Sequence, residues 1–476
     1  MDERGLARVR AQLEDFAAVV FAGLPRSDQR AMGLRYLRGL MLDGRRKSMQ
    51  PMAERLGVDH QRLQQFLTSS TWDVAGVRRR LATAAIELVQ PQVWVVDDTG
   101  FAKDGKASAC VARQYTGTLG KVANCQIAVS VHAATSAASA VLDWRLFVPE
   151  SWDETCVPDD VPDDVPDEQG NVTNPHAHRL RPSPYTRDEA GAKKPRVRRQ
   201  VPREQQVALI RDRRAAARLP DTERYRPKWL MALEMLDELA GWGLHAPLLT
   251  ADAGYGQVAE FRLGLTERGI RYVVATTSST TAQPGDAAPV PVPYAGVGKY
   301  PQPKYPDPAL SVKDLALRHL SSGADTAHLV RWRHRLPGSL EPTGDPDRPA
   351  DQLAGHFFAL RIRPAGRAIQ RSTHRGQDGV LPECWLLVQW PSNANEPSDY
   401  WLSDLPPDTP LPELVHLAKS RWRIEHDYRE LKQALGLDHF EGRSWIGWHR
   451  HVTLAAAAQL FLTQLRLENP KAQGQD

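Results

Sequence analysis

Apolar residues recur at intervals of three and four positions along residues 2–90, and this spacing predicts a series of amphipathic helices. Leu6, Val9, Leu13 and Phe16 would line the apolar face of the first helix. This part of the chain is therefore predicted to form a helical N-terminal domain.

From residue 91 the pattern changes to short runs of consecutive apolar residues, which are typical of buried strands. Three such runs come first, and helices then alternate with strands. The predicted elements are strands at 93–96, 125–131 and 140–147, a helix at 228–242, a strand at 247–250, a helix at 257–268 and a strand at 272–275. This order favours an α/β fold in which helices cover a mixed sheet.

A second group of strand-like runs follows, and helical spacing then returns from residue 411 to about 467. The strand-like runs are at 327–334, 356–363, 384–390 and 400–402. The predicted divisions of the chain are a helical domain at 1–90, the two parts of one α/β core at 91–277 and 406–476, and a β-rich insertion at 278–405.

The helical domain contains a segment with the features of a helix-turn-helix. Ala53 is small enough to let two helices approach, Gly57 would end the first helix, and Asp59 can cap the second. This pattern fits DNA recognition and an ordinary helical hairpin equally well.

Composition and charge narrow the class of protein. Hydrophobic residues make up 41% and charged residues 25% of the chain, as in globular proteins, and the net charge of +4 excludes a histone-like binder. There is no apolar run long enough for a membrane span, no secretory signal, and no Cys-x-x-Cys pair among the four cysteines. We therefore expect a cytoplasmic, nucleoid-associated protein of bacterial type with reduced thiols and no membrane contact.

The near-neutral total hides two blocks of opposite charge within a Pro-rich insert at 153–222. Residues 153–168 contain eight acidic and no basic residues, whereas residues 179–218 contain thirteen basic and four acidic ones. Such a segment buries too little apolar surface to fold alone, so we expect partial disorder with a helix at about 203–218. It would be either a phosphate-contacting arm or a solvated linker.

Two acidic motifs each follow a predicted buried strand. Asp97 and Asp98 come after the first strand of the core, and Asp252 comes after the strand at 247–250. Carboxylates at strand ends point into the crevice where α/β sheets bind ligands, and converging carboxylates need a cation between them. A polar turn is the ordinary alternative for either motif.

A helix near the C-terminus adds a third carboxylate between cations. Arg421, Glu425, Tyr428 and Lys432 are spaced so that all four would project from one helix face. The arrangement fits either a surface ladder of ion pairs or a metal and phosphate site.

These motifs resemble an insertion-sequence transposase of the DDE type, which has an RNase H-like core. The resemblance runs from about residue 30 to 465, apart from the Pro-rich insert. Arg421, Glu425 and Lys432 meet the Arg-x3-Glu-x6-Lys spacing of the group that has a Tyr–Arg–Glu–Lys signature and transposes through DNA hairpins. Ala418 stands where that signature has its tyrosine.

The resemblance implies three catalytic acids that also bind metal. The first lies in the Asp-x-Thr motif Asp97-Asp98-Thr99, and strand alternation favours Asp97, with Asp98 as the alternative ligand. Asp252 would be the second acid and Glu425 the third, with the β-rich insertion between them. The implied cofactors are two Mg²⁺ ions, with Mn²⁺ as a possible substitute.

The implied reaction is hydrolysis at the ends of the element, followed by strand transfer into target DNA. The implied partners are double-stranded DNA, namely the terminal inverted repeats and the target, and a second copy of the chain in the complex. Arg443 and Arg450 would contact phosphate or border a packed helix, and nearby Trp445 and Trp448 are expected in the core. The residues expected to contact DNA are Thr99, Lys103, Arg421, Lys432, Arg443 and Arg450.

Two other functions fit the same sequence. One is a metal-dependent endonuclease that cuts DNA without strand transfer. The other is a DNA-binding protein derived from a transposase that retains only binding to the element's ends.

Overall fold

The computed structural model describes residues 3–158, 185–187, 193–195, 202–298, 300–323, 327–333, 352–374, 376 and 378–468. Most of the Pro-rich insert lies outside these residues, so the predictions of disorder and of a phosphate-contacting arm there remain predictions. The helix expected at its end is present as Arg203–Ala217.

The N-terminal domain is helical, as predicted. Its five helices are α1 Glu3–Val20, α2 Ser27–Met41, α3 Met49–Leu56, α4 His60–Thr68 and α5 Val74–Val89. Gly57 ends α3 in the left-handed region at φ 63°, where a residue with a side chain would be strained. Asp59 then caps α4, because its Oδ1 accepts a hydrogen bond from the Gln61 amide at 2.9 Å. The predicted helix-turn-helix segment, α3 to α4, thus has the Gly57 end and the Asp59 cap expected for it, and its role in DNA recognition stays a prediction.

A single large mixed sheet forms the centre of the chain. Of the strands in the described residues, twelve belong to it and two short ones pair separately. In chain order the strands are β1 Val93–Ala102, β2 Ala112–Thr116, β3 Lys121–Ala134, β4 Ser139–Leu146, β5 Tyr185–Arg187, β6 Lys193–Pro195, β7 Leu249–Ala251, β8 Tyr272–Thr276, β9 Thr281–Pro284, β10 Leu310–Ser311, β11 His328–Arg333, β12 Gln352–Pro364, β13 Cys384–Gln389 and β14 Asp399–Ser403.

The core of the sheet has the order β4-β3-β1-β7-β8. β1 pairs antiparallel with β3 and parallel with β7, and β7 pairs parallel with β8. This α/β arrangement is compatible with the predicted RNase H-like core.

The first strand corrects one expectation from the sequence. Asp97 and Asp98 were expected in a polar turn after residue 96, but β1 continues to Ala102. The reason is that β3 pairs with β1 along its whole length, from Val93 opposite Ala134 to Ala102 opposite Cys125. Both acids therefore lie within a paired strand, which fixes the faces on which their side chains stand.

The stretch between Asp252 and Glu425 is rich in strands, as expected, but these strands extend the central sheet. β12 pairs with β13, β13 with β14, and β14 with β8 of the core. Backbone hydrogen bonds are thus continuous from the predicted insertion into the core.

Nine further helices cover the sheet and fill the C-terminal part. They are α6 Arg203–Ala217, α7 Lys228–Gly241, α8 Ala253–Gly256, α9 Ala259–Glu267, α10 Val312–Ser321, α11 Arg367–Arg371, α12 Leu411–Lys419, α13 Trp422–Arg429 and α14 Trp445–Glu468 among the described residues. α14 packs against β4 and against α2, α4 and α5, so it joins the N-terminal domain to the sheet. No helix in the described part of the chain is both long and apolar enough to cross a bilayer.

We expect Gly256→Ala to destabilise the protein and to displace the loop that carries Asp252. A Cβ at this position would lie 2.0 Å from the carbonyl oxygen of Ala275 on β8, so α8 would have to move. A loss of about 1–3 kcal/mol in the free energy of unfolding is expected, measured by urea denaturation. Gly241→Ala is the control, because a Cβ there meets nothing within 4 Å. Equal stability of the two variants would contradict this packing.

Candidate active site

Asp97 in the middle of β1 is brought beside Asp252, which directly follows the neighbouring parallel strand β7. In the pairing of β1 with β7, Val96 stands opposite Ala251, and each acid is the next residue along the chain. Asp252 also caps α8, because its Oδ1 accepts a hydrogen bond from the Tyr255 amide at 3.3 Å. Main-chain pairing therefore brings together two acids that are far apart in the sequence.

Arg421 connects these strands to the third predicted acid. Its Nη1 lies 2.8 Å from Oδ2 of Asp97, and its Nη2 lies 3.3 Å from Oε1 of Glu425 on the following helix, α13. The electrostatic attraction of Asp252 also raises the pKa of Arg421. Arg421 thus pairs with Asp97 and with Glu425, and the negative charge of Asp252 also acts on its guanidinium.

The two adjacent acids of β1 have different surroundings. Asp97 is 7% exposed and faces Arg421, whereas Asp98 is half-buried and pairs with Lys228, whose Nζ lies 2.8 Å from its Oδ2. The hydroxyl of Tyr255 lies 3.5 Å from the same oxygen. Successive side chains of a strand point to opposite faces, which explains the separation. Lys228 had no role in the sequence analysis, because nothing in the sequence pairs it with β1.

Burial has the largest effect on the pKa values of Asp97 and Asp252. Desolvation raises the pKa of Asp97 to about 7, since the opposing attraction of Arg421 offsets only part of it and the negative charge of Asp252 adds to it. Desolvation and the nearby charge of Asp98 likewise raise the pKa of Asp252. Additional positive charge near these oxygens would therefore stabilise the ionised carboxylates.

The donor chemistry of the site suits a hard divalent cation such as Mg²⁺ or Mn²⁺, because all of the candidate ligands are carboxylate oxygens. In the described part of the chain, however, no three histidine, cysteine, aspartate or glutamate side chains are placed closely enough to hold an ion. The guanidinium of Arg421 stands between Asp97 and Glu425. The ligand types fit a metal, and Arg421 holds two of the acids in ion pairs.

Lys432 reaches the same strand from the end of the helical segment. Its Nζ donates hydrogen bonds to Oγ1 of Thr99 at 2.7 Å, to the carbonyl oxygen of Gly100 at 2.9 Å and to Oγ1 of Thr118 at 3.2 Å. Two of the predicted DNA-contacting residues, Thr99 and Lys432, are therefore in contact with each other.

The predicted single face of Arg421, Glu425, Tyr428 and Lys432 agrees with the contacts that these residues make on one face of the sheet. Arg421 reaches Asp97, Tyr428 reaches Ser130 opposite Asp97, and Lys432 reaches Thr99. Residues Glu430–Ala434 form a π-helical turn, which changes the angle between residues on either side of it. Tyr428 turns inward, and its hydroxyl lies 2.7 Å from Oγ of Ser130. The π-helical turn follows Tyr428, so it changes the spacing to Lys432 and not the spacing among Arg421, Glu425 and Tyr428.

The other predicted DNA contacts differ in accessibility. Arg443 is exposed, and Lys103 is half-buried, with its Nζ donating to the carbonyl oxygen of Phe440 at 2.7 Å. Arg450 is only 5% exposed and donates to the carbonyl oxygens of Leu67 and Trp72. As placed, Arg450 supports the fold and cannot reach a phosphate. The tryptophans at 445 and 448 are buried, as expected.

A cleft of about 540 Å³ lies between the helix-turn-helix and the segment that precedes α14. Its lining includes His60 and Gln64 of α4, together with Arg218 and Arg443. Phe440 belongs to that segment, and its carbonyl oxygen accepts a hydrogen bond from Lys103, the residue that directly follows β1. This hydrogen bond connects the wall of the cleft to the end of β1.

We expect Asp97→Asn to reduce the pH dependence of stability in the absence of divalent ions. The native state holds the Asp97 proton up to about pH 7, whereas an unfolded aspartate loses it near its ordinary value. The stabilisation from Asp97 is therefore present at low pH and lost as the pH rises through 7.

Urea unfolding at pH 5 and pH 8 in EDTA measures this difference. Between these values the unfolding free energy of the wild type should fall by about 1 kcal/mol or more beyond the fall in Asp97→Asn. Parallel pH profiles would show that Asp97 does not titrate in this range.

Comparison with known proteins places the chain in a family. Residues 19–180 and 181–339 match the family described as DDE superfamily endonuclease. A probable transposase for insertion sequence element IS701, from Microchaete diplosiphon, is 33% identical over 118 residues, which are 23% of this chain and 30% of that protein. The alignment thus spans less than a third of the relative. The family match covers more than half of the chain and includes Asp97 and Asp252, and the protein belongs to the DDE superfamily endonuclease family.

Proposed function

We propose that the protein is a DNA transposase that cleaves the ends of an insertion sequence and joins them to target DNA. Two observations carry the proposal: the pairing of β1 with β7 brings Asp97 and Asp252 together, and Arg421 joins Asp97 to Glu425 through ion pairs. Family membership and the similarity to a probable transposase support the same reaction class. The proposed partners are the terminal inverted repeats, the target duplex and a second copy of the chain.

In this proposal Asp97, Asp252 and Glu425 are the catalytic acids and the ligands of two Mg²⁺ or Mn²⁺ ions. Bound divalent ions would supply Lewis acidity and lower the pKa of water for attack on a phosphodiester. Asp97 is favoured over Asp98 as the first ligand, because Asp97 shares its cation, Arg421, with the third acid Glu425, whereas Asp98 pairs with Lys228. Asp98 would contribute charge from the opposite face of β1.

Arg421 and Lys432 are the proposed phosphate contacts closest to these acids. Arg421 has the planar donor fork that suits two phosphate oxygens, and it now makes the same kind of contact with carboxylates. The ammonium group of Lys432 donates hydrogen bonds to Thr99 and to the carbonyl oxygen of Gly100, so its positive charge lies near the end of β1. Both cations are therefore positioned to orient a DNA strand beside the acids.

The helix-turn-helix is the proposed DNA-reading element. α4 buries Leu63, Phe66 and Leu67 and leaves polar side chains on its outer face. The exposed residues able to donate hydrogen bonds are His60, Gln61, Arg62, Gln64 and Gln65. These residue types recognise base edges and phosphates in a major groove. Arg443, across the cleft from α4, and Lys103 are the proposed backbone contacts between α4 and the acids.

We expect Asp97→Ala, Asp252→Ala and Glu425→Ala each to lower DNA nicking at least about 10³-fold, because each removes a ligand of the proposed ions. The substrate is a labelled duplex that contains the inverted repeats flanking the gene, incubated with Mg²⁺ or Mn²⁺. End binding, measured in the same samples by gel shift, should stay within about threefold of the wild type, because none of the three acids belongs to the proposed DNA-reading element.

The same assay separates the alternative functions. Nicking without joined products would favour an endonuclease, and binding without cation-dependent nicking would favour a DNA-binding protein. Wild-type nicking by Glu425→Gln would contradict the assignment of the third acid. Glu413→Gln is a matched control, since it removes an exposed carboxylate from the neighbouring helix α12.

We expect Arg62→Ala to weaken binding to the element's ends by about 1–3 kcal/mol, because Arg62 is the exposed cation on the proposed reading helix. Fluorescence anisotropy with the inverted-repeat duplex and a scrambled duplex measures affinity and specificity together. Arg10→Ala is the matched control, since it removes the same charge from the exposed face of α1. Equal losses in the two variants would show that α4 acts only through the net charge of the protein.

A further inference from the structure

A buried chain of polar side chains joins strand β3 to helix α13. Oγ of Ser130 lies 3.0 Å from Nε2 of His132, and Nδ1 of His132 lies 3.0 Å from Oδ2 of Asp427. Ser130 and His132 are fully buried, and Asp427 is 3% exposed. Both ring nitrogens of His132 are therefore engaged by partners on two different elements.

This chain of side chains lies directly beside the candidate acids. In the pairing of β1 with β3, Ser130 stands opposite Asp97, and His132 stands opposite Val95. Residues directly opposite in a sheet share a face, so Ser130 and His132 are on the face of Asp97. Asp427 is two residues beyond Glu425 on α13. The series of hydrogen bonds therefore begins at Ser130, opposite the first acid, and ends at Asp427, on the helix that carries the third acid.

Further buried contacts fasten α13 to the hairpin of β3 and β4. Oγ of Ser139 on β4 donates to Oδ1 of Asp427 at 2.6 Å, and Nε of Arg423 donates to the same Ser139 oxygen at 3.1 Å. Nη2 of Arg423 also donates to the carbonyl oxygen of Ala137 at 2.9 Å. The inner face of α13 is therefore polar, whereas ordinary helix packing on a sheet is apolar.

The arrangement has the order Ser–His–Asp found in nucleophilic hydrolases, but it cannot act as one here. Oγ of Ser130 is buried and is also bonded to the Tyr428 hydroxyl at 2.7 Å. A substrate carbonyl has no access to that oxygen. The polar contacts must act through the elements that they connect.

We propose that His132 is a positioning residue that sets the distance of Glu425 from Asp97 through its bonds to Asp427 and Ser130. Hydrogen bonds are directional, so a polar contact fixes the rotation and translation of α13 more closely than apolar packing does. Moving α13 would leave buried polar groups without partners, which is unfavourable. The proposal rests on the proposed function of the two acids and assigns the group that holds them in register.

Two substitutions at His132 test this role. His132→Phe keeps the ring and removes both bonds, whereas His132→Asn retains a donor near the position of Nδ1 and can still bind Asp427. Asp143→Asn is the control, because Asp143 is another buried carboxylate, paired with Arg78 at 2.7 Å on α5. Its loss should reduce stability without affecting α13.

Amide hydrogen exchange of residues 422–429 gives the first readout, which does not depend on catalysis. His132→Phe should speed exchange there at least about tenfold relative to Asp143→Asn, and His132→Asn should lie closer to the wild type. The second readout is the Mn²⁺ concentration for half-maximal nicking, which should rise about 10–100-fold in His132→Phe and less in His132→Asn.

The outcomes separate this proposal from the proposed function. Unchanged exchange in α13 of His132→Phe would overturn the positioning role, whether or not the protein cuts DNA. Faster exchange with an unchanged Mn²⁺ requirement would also overturn it, because α13 would then move without affecting the site. If the wild type fails to nick DNA with any divalent ion, the proposed function fails and exchange alone decides the link between His132 and α13. If His132→Phe does not fold, the same two measurements on His132→Asn and Ser130→Ala decide the question.

Discussion

The ion pair between Asp97 and Arg421 is the interaction on which the rest of the site depends. Pairing of β1 with β3 along ten residues places Asp97 within the sheet, where burial alone would favour its neutral form. Arg421 opposes this by supplying a positive charge 2.8 Å away, and it extends the same charge to Glu425. A buried acid ionises more readily beside a cation, and here that cation is Arg421, the residue that directly precedes α13.

The helical segment from α13 onward makes two sets of contacts with one face of the sheet. Arg421 joins Asp97 to Glu425, and Asp427 is bonded to His132. The π-helical turn at Glu430–Ala434 changes the direction of the following side chains, and Lys432 reaches the end of β1. π-Turns of this kind recur at functional sites, because they reorient one residue without ending the helix.

The continuous sheet connects the strands of the predicted insertion to the strand that leads to Asp252. Strands β12, β13 and β14 are hydrogen-bonded in sequence to β8, which lies beside the strand that leads to Asp252. Lys419, just before Arg421, has its Nζ 4.6 Å from the ring centre of Trp401 on β14 and 2.6 Å from Oε1 of Gln389 on β13. The stretch expected as a separate insertion thus contacts α12, the helix that precedes Arg421 and α13.

Much of this architecture is determined by the sequence alone. Helical periodicity in residues 2–90, apolar runs for β3, β4, β7 and β8, and the three acids with Arg421 and Lys432 are local or motif signals. The N-terminal helices and these four strands form close to where they are predicted. The sequence could not show that β1 continues through Asp97, that the later strands join the core sheet, that Arg450 is buried, or that His132 binds Asp427. Each of these depends on which distant segment supplies the hydrogen-bond partner. That choice is made only when the strands pair and the helices pack, because periodicity identifies the face that is buried but not the residues against which it is buried.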